Sequence, residues 1–219
     1  MRVGVVLSGC GFRDGAEIQE SVLTLLALAR AGAEAVCFAP DIPQAQVVDH
    51  LTGKTVEESR NVLHESARIA RGNVQDVAQA DANQLDALIL PGGFGAALNL
   101  CDFASKGPDA HVDPGVEQLV RAVHAAGKPI GAICIAPALM AKVLGDEGPR
   151  LTIGNDAGTA QAIEACGATH VACPVEEAVT DEDRRIVTTP AYMLGPGIAD
   201  VAAGIEHCVA EVLRLARVS

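Results

Sequence analysis

The chain is poor in aromatic residues, which make up 2% of its 219 residues and include no tryptophan. Aliphatic side chains must therefore fill the core, because 49% of the residues are hydrophobic. A core of valine, isoleucine, leucine and alanine is typical of a parallel sheet covered by helices. The composition thus favours an α/β protein, and the length fits one domain or barely two.

Positive charge is also scarce, since 16 lysine and arginine residues face 28 acidic residues and give a net charge of −12. No basic cluster interrupts this balance, so we expect neither nucleic acid nor a membrane surface as a partner. No apolar run reaches the roughly 18 residues that a membrane-spanning helix needs. The first residues show no apolar core of a secretory signal, and we therefore expect a cytoplasmic location.

The seven cysteines do not form the even, regular set that a disulfide framework requires, so we expect reduced thiols. Cys166, His170 and Cys173 have a spacing that suggests zinc, but no fourth ligand is evident and we expect no metal. Cys10 follows the first strand pattern in a glycine-flanked turn. It is either a small residue in a crowded turn or a second thiol near Cys134.

The stretch 131–137, Gly-Ala-Ile-Cys-Ile-Ala-Pro, is typical of a buried strand that turns into a helix at Cys134. A cysteine on such a sharp turn carries its sulfur above the edge of the sheet. The N–H groups and dipole of the following helix favour the thiolate there. Cys134 is therefore a candidate nucleophile, and the alternative is a small buried side chain.

A second buried strand pattern, 85–90, ends in a turn that contains Gly92 and Gly93. In a parallel sheet this turn lies on the same edge as Cys134. The bare N–H groups of the two glycines are candidates for an oxyanion hole. The alternative is an ordinary turn that needs glycine for its positive φ.

The first strand pattern, near 2–8, leads into a helix near 17–31 that starts with two glutamates. Glu17 and Glu20 are three residues apart and share a helix face. Acidic residues in a first turn usually complement the helix dipole. One of these two is also placed to reach the thiol of Cys134.

These segments together resemble the PfpI-like, glutamine-amidotransferase-like superfamily, and within it the bacterial ElbB group of isoprenoid-biosynthesis glyoxalases. The proline-glycine-glycine and cysteine motifs occur across the superfamily, whereas the other matching segments are more specific to the ElbB group. The resemblance implies one PfpI-like domain over residues 1–219, with a flavodoxin-like, doubly wound, mostly parallel sheet and helices on both faces. It also implies a homodimer. The matching segments are 5–11, 35–41, 61–63, 90–97, 151–154, 173–175 and 186–193.

The absence of a histidine at two positions limits the reactions that we expect of Cys134. Glutaminases of this superfamily take a histidine from a later loop, where this chain reads Leu-Thr-Ile-Gly-Asn at 151–155. PfpI-type proteases carry a histidine directly after the cysteine, where this chain has Ile135. Without a Cys-His-Asp/Glu triad we expect neither proteolysis nor glutamine hydrolysis.

The resemblance places Glu20 where a glutamate approaches the sulfur, with Glu17 as the second choice. A protonated carboxyl beside a thiolate can donate a hydrogen bond to it and then move protons. We therefore expect a glutathione-independent glyoxalase that converts a small 2-oxoaldehyde, glyoxal or methylglyoxal, to the hydroxy acid. The N–H groups of Gly93 and Ile135 would stabilise the oxyanion.

No cofactor is expected for this reaction, and 92–95 lacks the spacing of a dinucleotide fingerprint. Residues 94–113 are interpreted either as a loop that shapes substrate entry or as a helical excursion that only packs. Two rival hypotheses give Cys134 little or no turnover. In one it is a redox or stress sensor, and in the other the pocket binds a small carbonyl metabolite or a partner protein.

Overall fold

Eleven strands form three sheets in a computed structural model that describes residues 1–195 and 197–218. They are β1 (Arg2–Val6), β2 (Glu34–Ala39), β3 (Val48–Asp49), β4 (Lys54–Thr55), β5 (Val74–Asp76), β6 (Ala87–Leu90), β7 (Ile130–Ile133), β8 (Arg150–Leu151), β9 (Thr169–His170), β10 (Val179–Asp181) and β11 (Ile186–Thr189). The central sheet has seven strands in the order β10-β11-β7-β6-β1-β2-β5, and β3–β4 and β8–β9 are small separate pairs. All neighbours in the central sheet run parallel except β10 and β11.

Eight α-helices of the described chain alternate with these strands. They are α1 (Ile18–Arg30), α2 (Val62–Ile69), α3 (Phe94–Leu98), α4 (Phe103–Lys106), α5 (Pro114–Ala125), α6 (Ala136–Leu144), α7 (Ala157–Ala165) and α8 (Ile198–Ala216). Capping fixes where several of them begin. Asp113, for example, accepts hydrogen bonds from two backbone N–H groups of α5, and Pro114 follows it at the first helical position. None of the helices that the structure describes combines the length and apolarity needed to cross a bilayer.

The core lies on both faces of the central sheet. In β6, Leu88 and Leu90 belong to the cluster that packs with α5 and α6, whereas Ile89 belongs to the cluster that packs with α1 and α8. Successive side chains of a strand point to opposite faces, and both faces are covered here. This explains why the strand is apolar at every position rather than alternating.

The predicted doubly wound, mostly parallel sheet is confirmed, and most predicted elements lie within two residues of the observed ones. The sequence patterns near 169–172 and 184–189 predict two outer strands with a turn at 181–183, and this prediction is corrected in part. Residues 169–170 form β9, which pairs with β8. The antiparallel partner of β11 is β10, whose three residues include Thr180 and Asp181 and were not predicted as a strand. The edge strand β5 was not predicted, because its three residues include the polar pair Gln75 and Asp76.

The parallel strands β1, β6, β7 and β11 bring their carboxyl ends to one edge of the sheet. The segments that follow them, beginning at Leu7, Pro91, Cys134 and Pro190, therefore meet at that edge. This is where ligands bind in open α/β sheets.

Gly204 lets α8 approach the chain near β11 closely, and we expect Gly204→Ala to destabilise the protein. A Cβ at this position would lie 2.1 Å from the carbonyl oxygen of Val175 and 2.8 Å from Oγ1 of Thr189. The overlap should cost about 1–3 kcal/mol, which exceeds the roughly 1 kcal/mol that alanine gains in a helix. Urea unfolding followed by circular dichroism measures the difference.

The matched control is Gly158→Ala in α7, where the nearest atom to an added Cβ is 3.6 Å away and the residue is exposed. This variant should be neutral or more stable by up to about 1 kcal/mol. Equal effects of the two substitutions would contradict the packing assigned to Gly204.

Candidate active site

Cys134 occupies the turn between β7 and α6, as the sequence pattern predicts. Its φ is 62°, a left-handed conformation that is uncommon for a residue with a side chain. The turn is held by a hydrogen bond from the Cys134 N–H to the carbonyl of Thr189 at the end of β11, with a length of 2.9 Å. The neighbouring strand therefore fixes a strained backbone that aims the sulfur out of the sheet edge.

Glu20 lies entirely inside the protein, with no exposed surface. Its carboxyl is in hydrogen-bonding reach of the Cys134 thiol. Its Oε2 accepts a hydrogen bond of 3.0 Å from the Gly92 N–H, and its Oε1 accepts one of 3.3 Å from the Tyr192 N–H. Of the two predicted glutamates, Glu20 is therefore the one that contacts the cysteine.

Glu17 has a different position, at the N-cap of α1. Its Oε2 accepts a hydrogen bond of 2.6 Å from the Glu20 N–H, so it fixes the helix turn that carries Glu20. Glu17 also lines the cavity in front of Cys134. Burial raises the pKa of the Glu17 carboxyl, and hydrogen bonds from the backbone N–H groups of Glu20 and Gln19 oppose this.

Gly92 and Gly93 are glycines because the chain is crowded here. A Cβ on Gly92 would lie 2.4 Å from the Cβ of Cys134 and 2.7 Å from Oε2 of Glu20. Gly93 has φ of 93°, and a Cβ there would lie 2.3 Å from the N atom of Glu17. Both glycines thus serve close backbone approach as well as a turn.

The predicted oxyanion donors face the sulfur in this structure. The N–H groups of Gly93 and Ile135 lie near the Cys134 thiol and act to lower its pKa, while the Gly92 N–H donates to Oε2 of Glu20. Gly93 and Ile135 therefore remain placed to donate to charge at or beside the sulfur. Gly92 instead orients the carboxyl.

The pair of acidic groups is the main electrostatic feature of the site. Burial, with a smaller contribution from the charge of Glu17, raises the pKa of Glu20 to about 8. Burial and the neighbouring Glu20 charge raise the pKa of Cys134 well above its usual value, and the Gly93 and Ile135 N–H groups only partly oppose this. The prediction that Cys134 favours the thiolate is therefore wrong, because burial of the sulfur raises its pKa by more than the helix dipole lowers it.

The two groups titrate as one unit, since they share a hydrogen bond inside the protein. The fully protonated pair of Cys134 and Glu20 is neutral. Loss of one proton leaves a single negative charge with the other proton held between sulfur and carboxylate. That monoanion is the form in which a proton and a nucleophile are both available.

Sequence reasoning missed the contribution of Tyr192. Ala191 adopts φ of 43°, which points the next N–H, that of Tyr192, at Glu20. The Tyr192 hydroxyl hydrogen-bonds the side chain of Gln19. The sequence feature that could have identified Tyr192 is its position just after β11, because this strand ends at the same edge of the sheet as Cys134.

A cavity of about 810 Å³ opens in front of Cys134. Its lining residues come from the loops after β1, β6, β7 and β11 and from the start of α7. They are Phe12, Glu17, Gln19, Gly93, Phe94, Cys134, Ile135, Asp156, Thr159, Tyr192 and Met193. Residues 94–113 form α3 and α4 with short connections, and only Phe94 of this segment lines the cavity, which favours the helical excursion over the substrate-entry loop.

No histidine is among these lining residues. His124 and His207 pair with Glu147 and Glu177 at the surface instead. A triad therefore does not form at Cys134 in the described part of the chain. Over residues 1–195 and 197–218, no three His, Cys, Asp or Glu side chains gather as metal ligands would.

Cys10 is a free cysteine in a crowded turn. A Cβ on Gly15 would come within 2.3 Å of the Cys10 N atom. Burial, together with the nearby charge of Glu65, raises the pKa of Cys10. These contacts support its interpretation as a small residue that fits a tight turn.

Known proteins share both the sequence and the fold. The chain is 50% identical over 224 residues to human "Glutamine amidotransferase-like class 1 domain-containing protein 3, mitochondrial", with 98% of this chain and 83% of the relative covered. An isoprenoid biosynthesis protein with an amidotransferase-like domain from Ehrlichia chaffeensis is 39% identical, with a TM-score of 0.93 and coverage of 98% and 99%. Glyoxalase III from Candida albicans shares the fold, with a TM-score of 0.63 at 15% identity and 96% coverage of each chain.

The expected cytoplasmic location is wrong on this evidence, because the human relative is named mitochondrial. The expectation rested on the lack of a secretory signal. A missing secretory signal indicates that a protein is not secreted, but it does not tell in which compartment of the cell the protein resides.

The family follows from the same comparisons. Residues 10–193 match the sequence model of one protein family, and this range includes Glu20, Gly92, Cys134 and Tyr192. The chain belongs to the DJ-1/PfpI family.

Proposed function

We propose that the protein is a glutathione-independent glyoxalase of the ElbB type, which converts 2-oxoaldehydes to 2-hydroxy acids. The observation that carries this proposal is the buried carboxyl of Glu20 in hydrogen-bonding reach of the Cys134 thiol. The similarity to the Ehrlichia chaffeensis protein over nearly its whole length supports the ElbB grouping. A homodimer of single-domain chains stays a prediction of this proposal.

The first step begins from the monoanion of the Cys134–Glu20 pair. The sulfur forms a bond to the aldehyde carbon, and the electron pair of the carbonyl moves to its oxygen. That oxygen takes the proton held by Glu20. The product is a neutral hemithioacetal beside an ionised Glu20.

The second step moves a proton between neighbouring carbons. Ionised Glu20 removes the hydrogen from the former aldehyde carbon, which leaves an enediolate. Glu20 then returns a proton to the adjacent carbon, the former ketone, and the hydroxyl proton of the sulfur-bearing carbon moves to the former ketone oxygen, so that the sulfur-bearing carbon becomes a carbonyl. The result is a thioester of Cys134 with the 2-hydroxy acid.

Water completes the cycle by hydrolysing the thioester, with Glu20 as the base that takes its proton. The carbon–sulfur bond breaks, the sulfur leaves as the thiolate of Cys134, and Glu20 keeps the proton taken from water, so that the pair returns to its monoanion as the hydroxy acid is released. The N–H groups of Gly93 and Ile135 are positioned beside the sulfur, where the oxyanion of each tetrahedral intermediate forms. The net reaction adds one water to the 2-oxoaldehyde and requires no external electron carrier.

The sensor hypothesis is less well supported. Sensor cysteines are exposed and have a low pKa, whereas Cys134 is 7% exposed and its pKa is raised by burial.

Cys134→Ser and Glu20→Gln should each reduce kcat for methylglyoxal, because they remove the nucleophile and the proton carrier. We expect a loss of at least about 10²-fold for Glu20→Gln, the scale of general acid–base catalysis, and a larger loss for Cys134→Ser. Hydroxy-acid formation without glutathione is the measurement. Cys166→Ser, at the end of α7, is the matched control and should keep wild-type turnover. An unchanged rate in either site variant would remove that residue from the mechanism.

The rate should rise with pH, because the reactive monoanion forms only when the pair loses its first proton. We expect kcat/KM to increase from pH 6 to 9 with a midpoint at about 8, the pKa of Glu20. Glu17→Gln should shift this midpoint downward, since the Glu17 charge helps to raise the pKa of Glu20. A profile that is flat across this range would contradict the assignment.

Stability should depend on pH in the opposite direction. Unfolded Glu20 ionises near 4.5, but folded Glu20 keeps its proton to about 8, so the folded state loses stability as pH rises between these values. The slope for one proton is about 1.4 kcal/mol per pH unit. The free energy of unfolding of Glu20→Gln, measured by urea denaturation from pH 5 to 8, should lack this slope. Parallel curves for the two proteins would show that Glu20 is already ionised.

A further inference from the structure

The cavity in front of Cys134 is much larger than glyoxal or methylglyoxal. Its volume of about 810 Å³ falls in the range of pockets that bury drug-sized ligands. A water molecule takes up about 30 Å³, and either aldehyde occupies the space of only a few waters. Most of the cavity would therefore stay filled with water around such a substrate.

Apolar side chains dominate the part of the cavity wall beyond the cysteine. Phe12 and Phe94 remain 41% and 53% exposed, although large apolar side chains normally lie inside. Ile135, Met193 and Tyr192 also line the cavity. An apolar group bound here would remove these surfaces from water.

Phe12 is held in place by residues that do not line the cavity. Its ring meets the His50 ring edge-on, with centroids 5.4 Å apart, and Cζ of Arg13 lies 4.8 Å from its centroid. The Phe12 carbonyl accepts a hydrogen bond of 2.8 Å from the Phe94 N–H. The two phenylalanines, from separate loops, are therefore fixed as neighbours before any ligand arrives.

The charges at the cavity select against anions. Glu17 and Asp156 are acidic, and none of the described lining residues is basic. The net charge of −12 acts in the same direction. A substrate that carries a carboxylate or a phosphate would thus meet repulsion without a partner.

Resting on the proposed function, we infer that the preferred substrates are uncharged 2-oxoaldehydes with a hydrophobic substituent of several carbons. The dicarbonyl end lies at Cys134, and the substituent lies against Phe12 and Phe94, which set the specificity. The chemistry at sulfur and Glu20 is the same for every chain length, so the preference arises from contact with the apolar wall.

A homologous series tests this inference. Purified protein without glutathione is given methylglyoxal, 2-oxobutanal and 2-oxohexanal, and kcat/KM is measured for each. Each buried methylene is worth about 0.8 kcal/mol, or roughly fourfold. We expect kcat/KM to rise at least about tenfold from methylglyoxal to 2-oxohexanal. The six-carbon 2-oxoaldehyde that ends in a carboxylate should fall below methylglyoxal.

Substitutions of Phe12 and Phe94 test whether these side chains cause the preference for longer substrates. Phe12→Ala and Phe94→Ala should reduce the ratio of kcat/KM for 2-oxohexanal to that for methylglyoxal by at least about threefold. Phe12→Leu, which keeps an apolar side chain, should retain most of it. Val218→Ala is the matched control, because Val218 is 73% exposed beyond the end of α8, does not line the cavity and should leave the ratio unchanged.

The outcomes separate this inference from the proposed function. Turnover of methylglyoxal with a flat or falling series, or a ratio unaffected in both phenylalanine variants, would overturn the inference and leave the glyoxalase in place. No turnover of any member would overturn both.

Discussion

A carboxyl group buried against a thiol is the constraint around which the site is arranged. Glu20 has no exposed surface, and the groups that contact it are backbone N–H donors and the sulfur of Cys134. Such a group is expensive to ionise, because low-polarity surroundings disfavour its charge. For the same reason Glu20 keeps its proton at neutral pH, and this proton lies beside the sulfur of Cys134. That proton is the one that the proposed reaction of a 2-oxoaldehyde uses.

Several unusual local features follow from this placement. Gly92 has no side chain because Cys134 and Glu20 occupy the space. Cys134 and Ala191 both adopt left-handed backbone, and each conformation aims a group at the pair. Strained residues persist only where surrounding structure determines them. Here the parallel neighbours β7 and β11 supply that support, and the conformational strain is concentrated at the candidate active site.

Much of the fold and the centre of the site could be predicted from the sequence. Strictly apolar strand patterns predicted the parallel sheet, and the pattern around Cys134 predicted the turn from strand to helix. The two glycines followed from their place after a buried strand. These features have local signals, because each depends on residues that are adjacent in the chain.

The rest depends on contacts between distant segments. Which of Glu17 and Glu20 meets the thiol is decided by the rotation of α1 against the sheet. The raised pKa of Cys134 reflects burial by several loops, and no single segment reveals it. Tyr192 and Phe12 reach the site through a strained turn and a hairpin contact, respectively. The pairing of β10 with β11 likewise follows from where the chain returns after β9.

The protonation state of Glu20 tests the central claim most directly. Protein labelled with ¹³C at the glutamate carboxyl carbons can be titrated by NMR, with Glu20→Gln used to assign the signal. The account predicts that this signal shifts with a midpoint at about 8, far from the other glutamates. A midpoint near the ordinary value of 4.5 would show a carboxylate that is already charged at neutral pH and would contradict the account.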